Sequence, residues 1–216
     1  MRKTTLNSGS YFYLANVNDF SDSYTGILQP SEIISYERYR RKQDKDLFLC
    51  GRYILRNELA KNNIPFKAKI GFNPYKKPEI SDYPGFNFNI SHSYPWVVVT
   101  FSKSNKIGVD IEKIVNYNRE DLIKYAEIVF HKSEIEIMKK MDLTGAQHFF
   151  TKLWVLKESY IKMDGRGFLL DTKNILFEKH KSNNLCLINN SLKKVQIRLL
   201  NPVPDFYLAI MENKIL

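Results

Sequence analysis

Cysteine is nearly absent from this chain. Cys50 and Cys186 are the only two in 216 residues, too sparse for a disulfide framework, and they read as two reduced, buried thiols. Glycine and proline are also scarce, nine and eight, and no low-complexity tract occurs, which excludes collagen-like and disordered classes. No apolar run reaches the length of about 18 residues that a membrane-spanning helix needs. The opening residues, Met1-Arg2-Lys3 and then Thr4, Thr5, Asn7 and Ser8, lack the apolar core of a secretion signal, and a cytoplasmic protein is expected.

What is present is core material and positive charge. The chain is 44% hydrophobic and 13% aromatic, enough for a substantial core at this length. Lys and Arg number 33 against 23 Asp and Glu, a formal charge of +10. Such an excess concentrates polyanions such as nucleic acid, nucleotide-like cofactors or acidic proteins. It equally fits a Lys- and Asn-rich genome, and charge alone does not choose.

The pattern along the chain alternates strands with helices. Residues 11–17 read as an opening strand. Ser31 is placed to cap one long helical region whose apolar positions Phe48, Tyr53, Leu55 and Leu59 lie in its second half, before Pro65. Ile70 and Phe72 mark a short strand, and residues 73–78 a turn. Phe86, Phe88 and Ile90 alternate with polar residues as in a half-buried strand. Residues 96–101 form an apolar run typical of a strand covered on both faces. Residues 107–111 follow a Ser-Asn-Lys turn and are expected to pair with that run as a hairpin. Ser133 with Glu136, and Thr144 with Gln147, have capping-box spacing ahead of helices. Gly165-Arg166-Gly167 ends the last helix, and short strands are expected at 175–177, 185–188, 195–199 and 206–211. The fold class read from this order is α+β, with two similar lobes at 1–104 and 105–216.

The first chemical signal is Gly108-Val109-Asp110-Ile111-Glu112-Lys113. Residues two apart on a strand share a face, so Asp110 and Glu112 stand side by side. Two such carboxylates are tolerated when solvated, as on a sheet edge, or when a cation lies between them, and oxygen-only ligation suits Mg²⁺. The second signal is the helix around residues 149–162. Phe149, Leu153, Leu156 and Tyr160 form a core stripe, yet Trp154, Val155 and Ile161 make the opposite side apolar too. Glu158 then stands in a mostly apolar wall and needs a partner. Lys162, one turn on, supplies one as an intrahelical ion pair; a metal shared with Asp110 and Glu112 is the other reading.

Further polar groups suit a phosphate ligand. Ser91 and His92 end a strand, Lys76 and Lys77 sit on a turn, and Arg38, Arg41 and Lys42 belong to a basic cluster at residues 37–45. Each also has a plain structural reading as a satisfied histidine, a solvated turn or a wet helix face. No catalytic role is assigned to Cys50, Cys186, His131, His148 or His180. Two rival classes remain open at this point. Asp110-Ile111-Glu112-Lys113 fits a Mg²⁺-dependent nuclease, though that leaves Glu158 and His92 without a purpose. A basic RNA- or protein-binding module would gather aromatics on one strand face, whereas here they follow core periodicity.

Taken together, the segments Lys77-Pro78, Phe88-Asn89-Ile90-Ser91-His92-Ser93, Gly108-Val109-Asp110-Ile111-Glu112-Lys113 and Trp154-Val155-Leu156-Lys157-Glu158-Ser159-Tyr160-Ile161-Lys162 resemble the 4′-phosphopantetheinyl transferases of the surfactin-synthetase-activating type. With Gly165-Arg166-Gly167 they span residues 77–167. The G-[VI]-D-x-E and W-x-x-K-E-[AS]-x-x-K pair, in this order, is the specific part. The resemblance implies a pseudo-two-fold α+β monomer with coenzyme A in the cleft between its lobes. Its expected reaction is Mg²⁺-dependent (Mn²⁺ being an alternative) transfer of phosphopantetheine to a serine of an acidic apo acyl or peptidyl carrier protein. Neither nucleic acid nor a membrane is an implied partner.

By position, Asp110, Glu112 and Glu158 are the implied metal ligands. Glu158 is also the candidate general base, directly or through a water, and Lys162 meets the transferring phosphate. Ser91 and His92 are implied to bind the cofactor's phosphates, and Lys77 its nucleotide end. The family often has an Arg-Thr pair where this chain has Leu47 and Phe48, so the 3′-phosphate contacts pass to Arg38, Arg41, Lys42 or Arg52. The segment 116–139, which mixes aromatic and basic residues, is the implied docking edge for the carrier, with an ordinary packing helix as its other reading.

Overall fold

The computed structural model describes residues 1–20, 22–179, 185–189, 191–193 and 195–213, and these described residues form twelve strands and five α-helices. The first half contains β1 (Arg2–Thr5), β2 (Tyr11–Asn16), α1 (Pro30–Arg38), α2 (Lys42–Lys61), β3 (Ile70–Phe72), β4 (Pro78–Ile80), β5 (Asn87–Ser93) and β6 (Trp96–Ser102). The second contains β7 (Ile107–Lys113), α3 (Arg119–Val129), α4 (Lys132–Lys139), α5 (Leu143–Asp164), β8 (Leu176–Lys179), β9 (Leu185–Asn189), β10 (Ser191–Lys193), β11 (Val195–Leu200) and β12 (Phe206–Asn213). The class is α+β, as the sequence indicates. One antiparallel sheet runs β1-β2-β6-β5 and a second runs β11-β12-β7, with smaller sheets β10-β9-β8 and β3-β4.

The two larger sheets are stacked between two helices. α2 lays Leu47, Cys50, Ile54 and Leu55 on Tyr13, Val97, Val99 and Phe101 of the first sheet. The other face of that sheet, through Phe12, Leu14 and Val98, packs on Val109, Ile111, Leu208 and Ile210 of the second. α5 covers the far side with Val155, Leu156, Tyr160 and Ile161 against Tyr207, Ala209 and Met211. Each strand therefore divides its alternate residues between two apolar layers, which accounts for the nearly continuous apolar runs. Burial also holds the Cys50 thiol inert, pushing its pKa up to about 12. The Cys186 side chain and His180 lie outside the described residues.

Several local expectations are corrected. The helical region 31–61 is two helices, not one, and Ser31 does not cap it. Gln29 is the cap residue, its N–H bonding Glu32 at 3.0 Å. The chain breaks at Tyr39–Arg41 so that α1 folds onto α2, where the buried Glu32 carboxylate meets Arg52 at 2.9 Å and Arg56 at 2.8 Å. A buried carboxylate held by two guanidiniums fixes that return better than a continuous helix would. The helix caps further on are His131, whose Nδ1 accepts from the Ser133 N–H, and Asp142, whose carboxylate accepts from the Gly145 N–H at 2.8 Å. Ser133 and Thr144 therefore lie inside their helices. Finally, β7 does not pair with β6. Both edges of β6 are taken by β2 and β5, and β7 crosses to the second sheet to pair with β12.

β5 and β7 nevertheless run side by side, joined through side chains. Asn89 Oδ1 accepts from the Val109 N–H at 2.9 Å, Ser91 Oγ from Ile111 at 3.3 Å, and Ser93 Oγ from Lys113 at 3.2 Å. Every second residue of Asn89-x-Ser91-x-Ser93 satisfies one edge amide of β7, and two of these, at Val109 and Ile111, would otherwise be orphaned by burial. That zipper sets the register between the two sheets and so positions the site below.

Candidate active site

β7 presents Asp110 and Glu112 on the face that α5 crosses, and α5 presents Glu158 and Lys162 in return. The close crossing depends on Gly108. A Cβ there would lie 2.1 Å from the Ser159 carbonyl oxygen and 2.3 Å from the Met163 nitrogen. Lys162 Nζ reaches Asp110 Oδ1 at 2.6 Å and Ser91 Oγ at 3.2 Å, while Ser91 Oγ donates to the same carboxylate oxygen at 2.8 Å. Asp110 is 2% exposed and Glu158 9%. Asp110 Oδ2 and Glu158 Oε1 are buried without any hydrogen-bond partner.

Electrostatics tie these groups together. Burial raises the Glu158 pKa, with the Lys162 ammonium opposing and Asp110 adding to the rise. Glu112 is pushed up to about 7, by burial first and then by repulsion from Asp110, against the pull of Lys162 and of the Ser93 hydroxyl. Among the described residues no three His, Cys, Asp or Glu side chains stand as a formed metal site. The reason is visible in the contacts: an ammonium, not a carboxylate, is seated on Asp110. The donor set still fits a hard dication, because two buried carboxylate oxygens have no partner and a third carboxylate is repelled by its neighbours.

A pH test follows from Glu112. Its folded-state pKa of about 7 lies above the ordinary value of 4.5, so the folded protein binds the extra proton and the unfolded chain does not. The stability this proton gives is present below about pH 4.5 and lost as pH rises to about 7. Melting of metal-free protein across that range should show wild type losing stability relative to Glu112→Gln as pH rises; parallel curves would show that Glu112 is not so perturbed.

Beside the acidic cluster opens a cleft of about 380 Å³. Tyr39, Phe48, Arg52, Tyr75, Lys76 and His92 line it from the first half of the chain, and Glu158, Ile161, Lys162 and Gly165 from the second. His92 faces the cleft, and desolvation by its walls, followed by the Lys162 charge, lowers its pKa. Lys77 lines the cleft too, but its Nζ donates to the carbonyls of Ile107 at 3.1 Å and Met163 at 3.2 Å. Burial, with Lys106 adding, brings it down to about 8. Asn73 completes this clamp: its Oδ1 accepts from the Tyr75 and Lys77 amides and its Nδ2 donates to the Gly165 carbonyl at 3.0 Å. Gly165, at φ 89°, ends α5 in the left-handed conformation that the clamp grips.

Not every expected residue reaches this cleft. Ser91 is buried on Asp110 and does not line it. Arg38, Arg41 and Lys42 are exposed and lie off it, Lys42 pairing with Asp46 at 3.0 Å. Arg52 does line it, stacked 4.8 Å from the Phe48 ring and held by Glu32. Leu47 and Phe48 both form part of the wall. Lys157, inside the W-x-x-K-E motif, is wholly buried, with Nζ on Glu134 at 2.7 Å and on the Thr172 carbonyl at 2.8 Å. It anchors α4 to α5. The aromatic walls and the Asn89-Ser91-Ser93 zipper were not read from the sequence; only the alternation of short polar side chains signalled the latter. A second, apolar groove of about 350 Å³ starts at Glu112 and Lys113 and runs past Tyr117, Tyr125, Ile128, Phe150 and Trp154.

A family model described as the 4′-phosphopantetheinyl transferase superfamily matches residues 106–209. The chain is 28% identical over 193 residues to 4′-phosphopantetheinyl transferase Sfp of Bacillus subtilis (strain 168), covering 88% of this chain and 84% of the relative. It is 32% identical over 170 residues to 4′-phosphopantetheinyl transferase gsp of Aneurinibacillus migulanus, covering 76% and 67%. Among solved structures, a holo-(acyl-carrier-protein) synthase from Bacillus anthracis str. Ames in complex with CoA (3′,5′-ADP) aligns at 22% identity and TM-score 0.42, over 50% of this chain and 93% of that one.

Proposed function

The chain belongs to the 4′-phosphopantetheinyl transferase superfamily, and from that premise we propose a Mg²⁺-assisted transfer of phosphopantetheine from coenzyme A to a serine of an acidic apo carrier protein. The serine oxygen forms a bond to the β-phosphorus of coenzyme A as the bridging phosphoanhydride bond breaks, releasing adenosine 3′,5′-bisphosphate. The observation that supports this reading is that three carboxylates, Asp110, Glu112 and Glu158, face one ammonium, Lys162, which with Glu158 lines a cleft that has basic and aromatic walls.

The residues divide the work. Asp110, Glu112 and Glu158 would hold the dication, which supplies charge neutralisation for the two anionic phosphates. Glu158, whose buried carboxylate has raised proton affinity, accepts the serine proton directly or through a water. Lys162 Nζ meets charge on the phosphoryl oxygens. His92 holds the cofactor's phosphates from the cleft wall, and Ser91 acts by holding Asp110 in place. Arg52 and Lys76 take the 3′-phosphate end, since Arg38, Arg41 and Lys42 lie off the cleft. Lys77 shapes the nucleotide end through its clamp on Ile107 and Met163.

The same reading divides the chain into lobes at 1–104 and 105–216, whose sheets meet at the β5–β7 zipper, and takes the enzyme to be a cytoplasmic monomer. The +10 charge draws an acidic partner with salt-sensitive association. The apolar groove beside Glu112, to which the segment 116–139 contributes Tyr117, Tyr125, Ile128 and Val129, is the docking edge for that carrier. Mn²⁺ is expected to replace Mg²⁺, being another oxygen-preferring dication.

Intact-mass measurement of apo carrier protein with coenzyme A, Mg²⁺ and this enzyme tests the reaction: the expected result is a gain of one phosphopantetheine on serine, and no gain with any carrier class sinks the reading. His92→Ala is expected to raise the KM for coenzyme A about tenfold, the loss of one hydrogen bond to a charged group, while kcat changes far less. An unchanged KM would remove His92 from the cofactor site.

A further inference from the structure

The contact between Lys162 and Asp110 raises a question that the transfer reaction does not answer. Lys162 Nζ lies 2.6 Å from Asp110 Oδ1 with Ser91 Oγ at 3.2 Å, and Glu112 and Glu158 face the same ammonium. Asp110 is 2% exposed and the Lys162 side chain 28%, so this is a short ion pair with a desolvated carboxylate, not a surface one. A dication bound to the three carboxylates would take Asp110 through Oδ2, which is buried without a partner, and would then stand beside the ammonium held on Oδ1. Two cations cannot both sit within contact of one carboxylate without repelling each other strongly in a buried site.

We propose that Lys162 is a resident counter-ion that neutralises Asp110 in the unliganded enzyme and is displaced from it by the arriving dication, at a cost that coenzyme A then offsets. This rests on the transfer reaction proposed above and adds an order to it. Displacing the ammonium costs binding energy when metal arrives alone. When the diphosphate arrives as well, the freed ammonium gains anionic oxygens as new acceptors, so the cost is recovered. Metal and coenzyme A should therefore bind with positive coupling, each strengthening the other by the same factor. The enzyme is also spared an empty cluster of three repelling carboxylates between turnovers.

The test is a titration of the full-length protein with Mg²⁺ or Mn²⁺ alone, followed calorimetrically. Lys162→Gln removes the competitor and is expected to bind metal alone about tenfold more tightly than wild type, within the usual range of coupling factors. Without metal, the variant should melt below wild type, and metal should raise its melting temperature more. If Lys162→Gln does not fold, wild type gives the readout itself. With lysines carrying ¹³C-methyl groups, the Lys162 resonance, assigned by its loss in Lys162→Arg, should move on adding Mg²⁺ without coenzyme A. Equal metal affinity in wild type and variant, or a Lys162 resonance that stays in place as metal binds, overturns the counter-ion role while leaving transfer intact. Absence of metal binding to either protein, with coenzyme A present or not, overturns both.

Discussion

Replacing Asp110 with alanine is expected to reduce phosphopantetheine transfer by about three orders of magnitude, on the scale of removing a principal electrostatic element from an active site, while the fold survives. The loss is large because Asp110 is the hub of the cluster. One carboxylate oxygen takes both the Lys162 ammonium and the Ser91 hydroxyl, and the other is buried with no hydrogen-bond partner. Without it, the donor set falls to Glu112 and Glu158, and those two stand on different elements. The fold survives because Lys162 keeps Glu112 and Glu158 as counter-charges, so no buried charge is left alone. Asp110→Asn should lose as much activity as the alanine variant, since it preserves shape and removes charge. The measurement is carrier mass gain with purified Mg²⁺ beside a thermal melt. An alanine variant that transfers within tenfold of wild type would remove Asp110 from the reaction.

Much of this site is legible in the amino-acid sequence. Period-two spacing placed Asp110 and Glu112 on one face, and the all-round apolar pattern of residues 149–162 placed Glu158 in a buried wall. Those inferences are local, and local geometry is what a sequence reports most directly. What it did not report is where long-range contacts send the chain. The pairing of β7 with β12, nearly a hundred residues away, overrode the short turn that pointed to a hairpin with β6. The break between α1 and α2 is enforced by Glu32 reaching Arg52 and Arg56, a contact with no signature inside either helix. The placement of Arg38, Arg41 and Lys42 off the cleft follows from that break. Ser91 misled for a related reason: a hydroxyl at a strand end suits a phosphate, but here a neighbouring strand and a carboxylate claim it first.

Gly108→Ala is expected to be the most damaging single-methyl change in the protein. The glycine is not there for backbone freedom, since its conformation lies outside the left-handed region. It is there for space. The added Cβ would meet the Ser159 carbonyl oxygen at 2.1 Å, the Met163 nitrogen at 2.3 Å and the Met163 Cα at 2.8 Å. All three are backbone atoms of α5, so no side chain can rotate away, and the helix itself must shift or unwind. α5 lies on β12 through a core of buried residues and crosses β7 at Gly108, and moving it opens that interface. A loss of at least about 4 kcal/mol is therefore expected, at the upper end for single substitutions, read as a lower urea midpoint or as failure to fold. Gly26→Ala is the control, because a Cβ at Gly26 meets nothing within 4 Å, and its midpoint should match wild type. If Gly108→Ala folds but merely displaces α5, Glu158 and Lys162 move with the helix, and transfer should fall even though the protein remains soluble. A Gly108→Ala protein with wild-type stability and wild-type transfer would mean that helix and strand do not approach this closely. The glycine of G-V-D-I-E and the helix carrying W-V-L-K-E-S-Y-I-K are thus two sides of one contact, and the spacing of carboxylates across it is set by the absence of a single carbon atom.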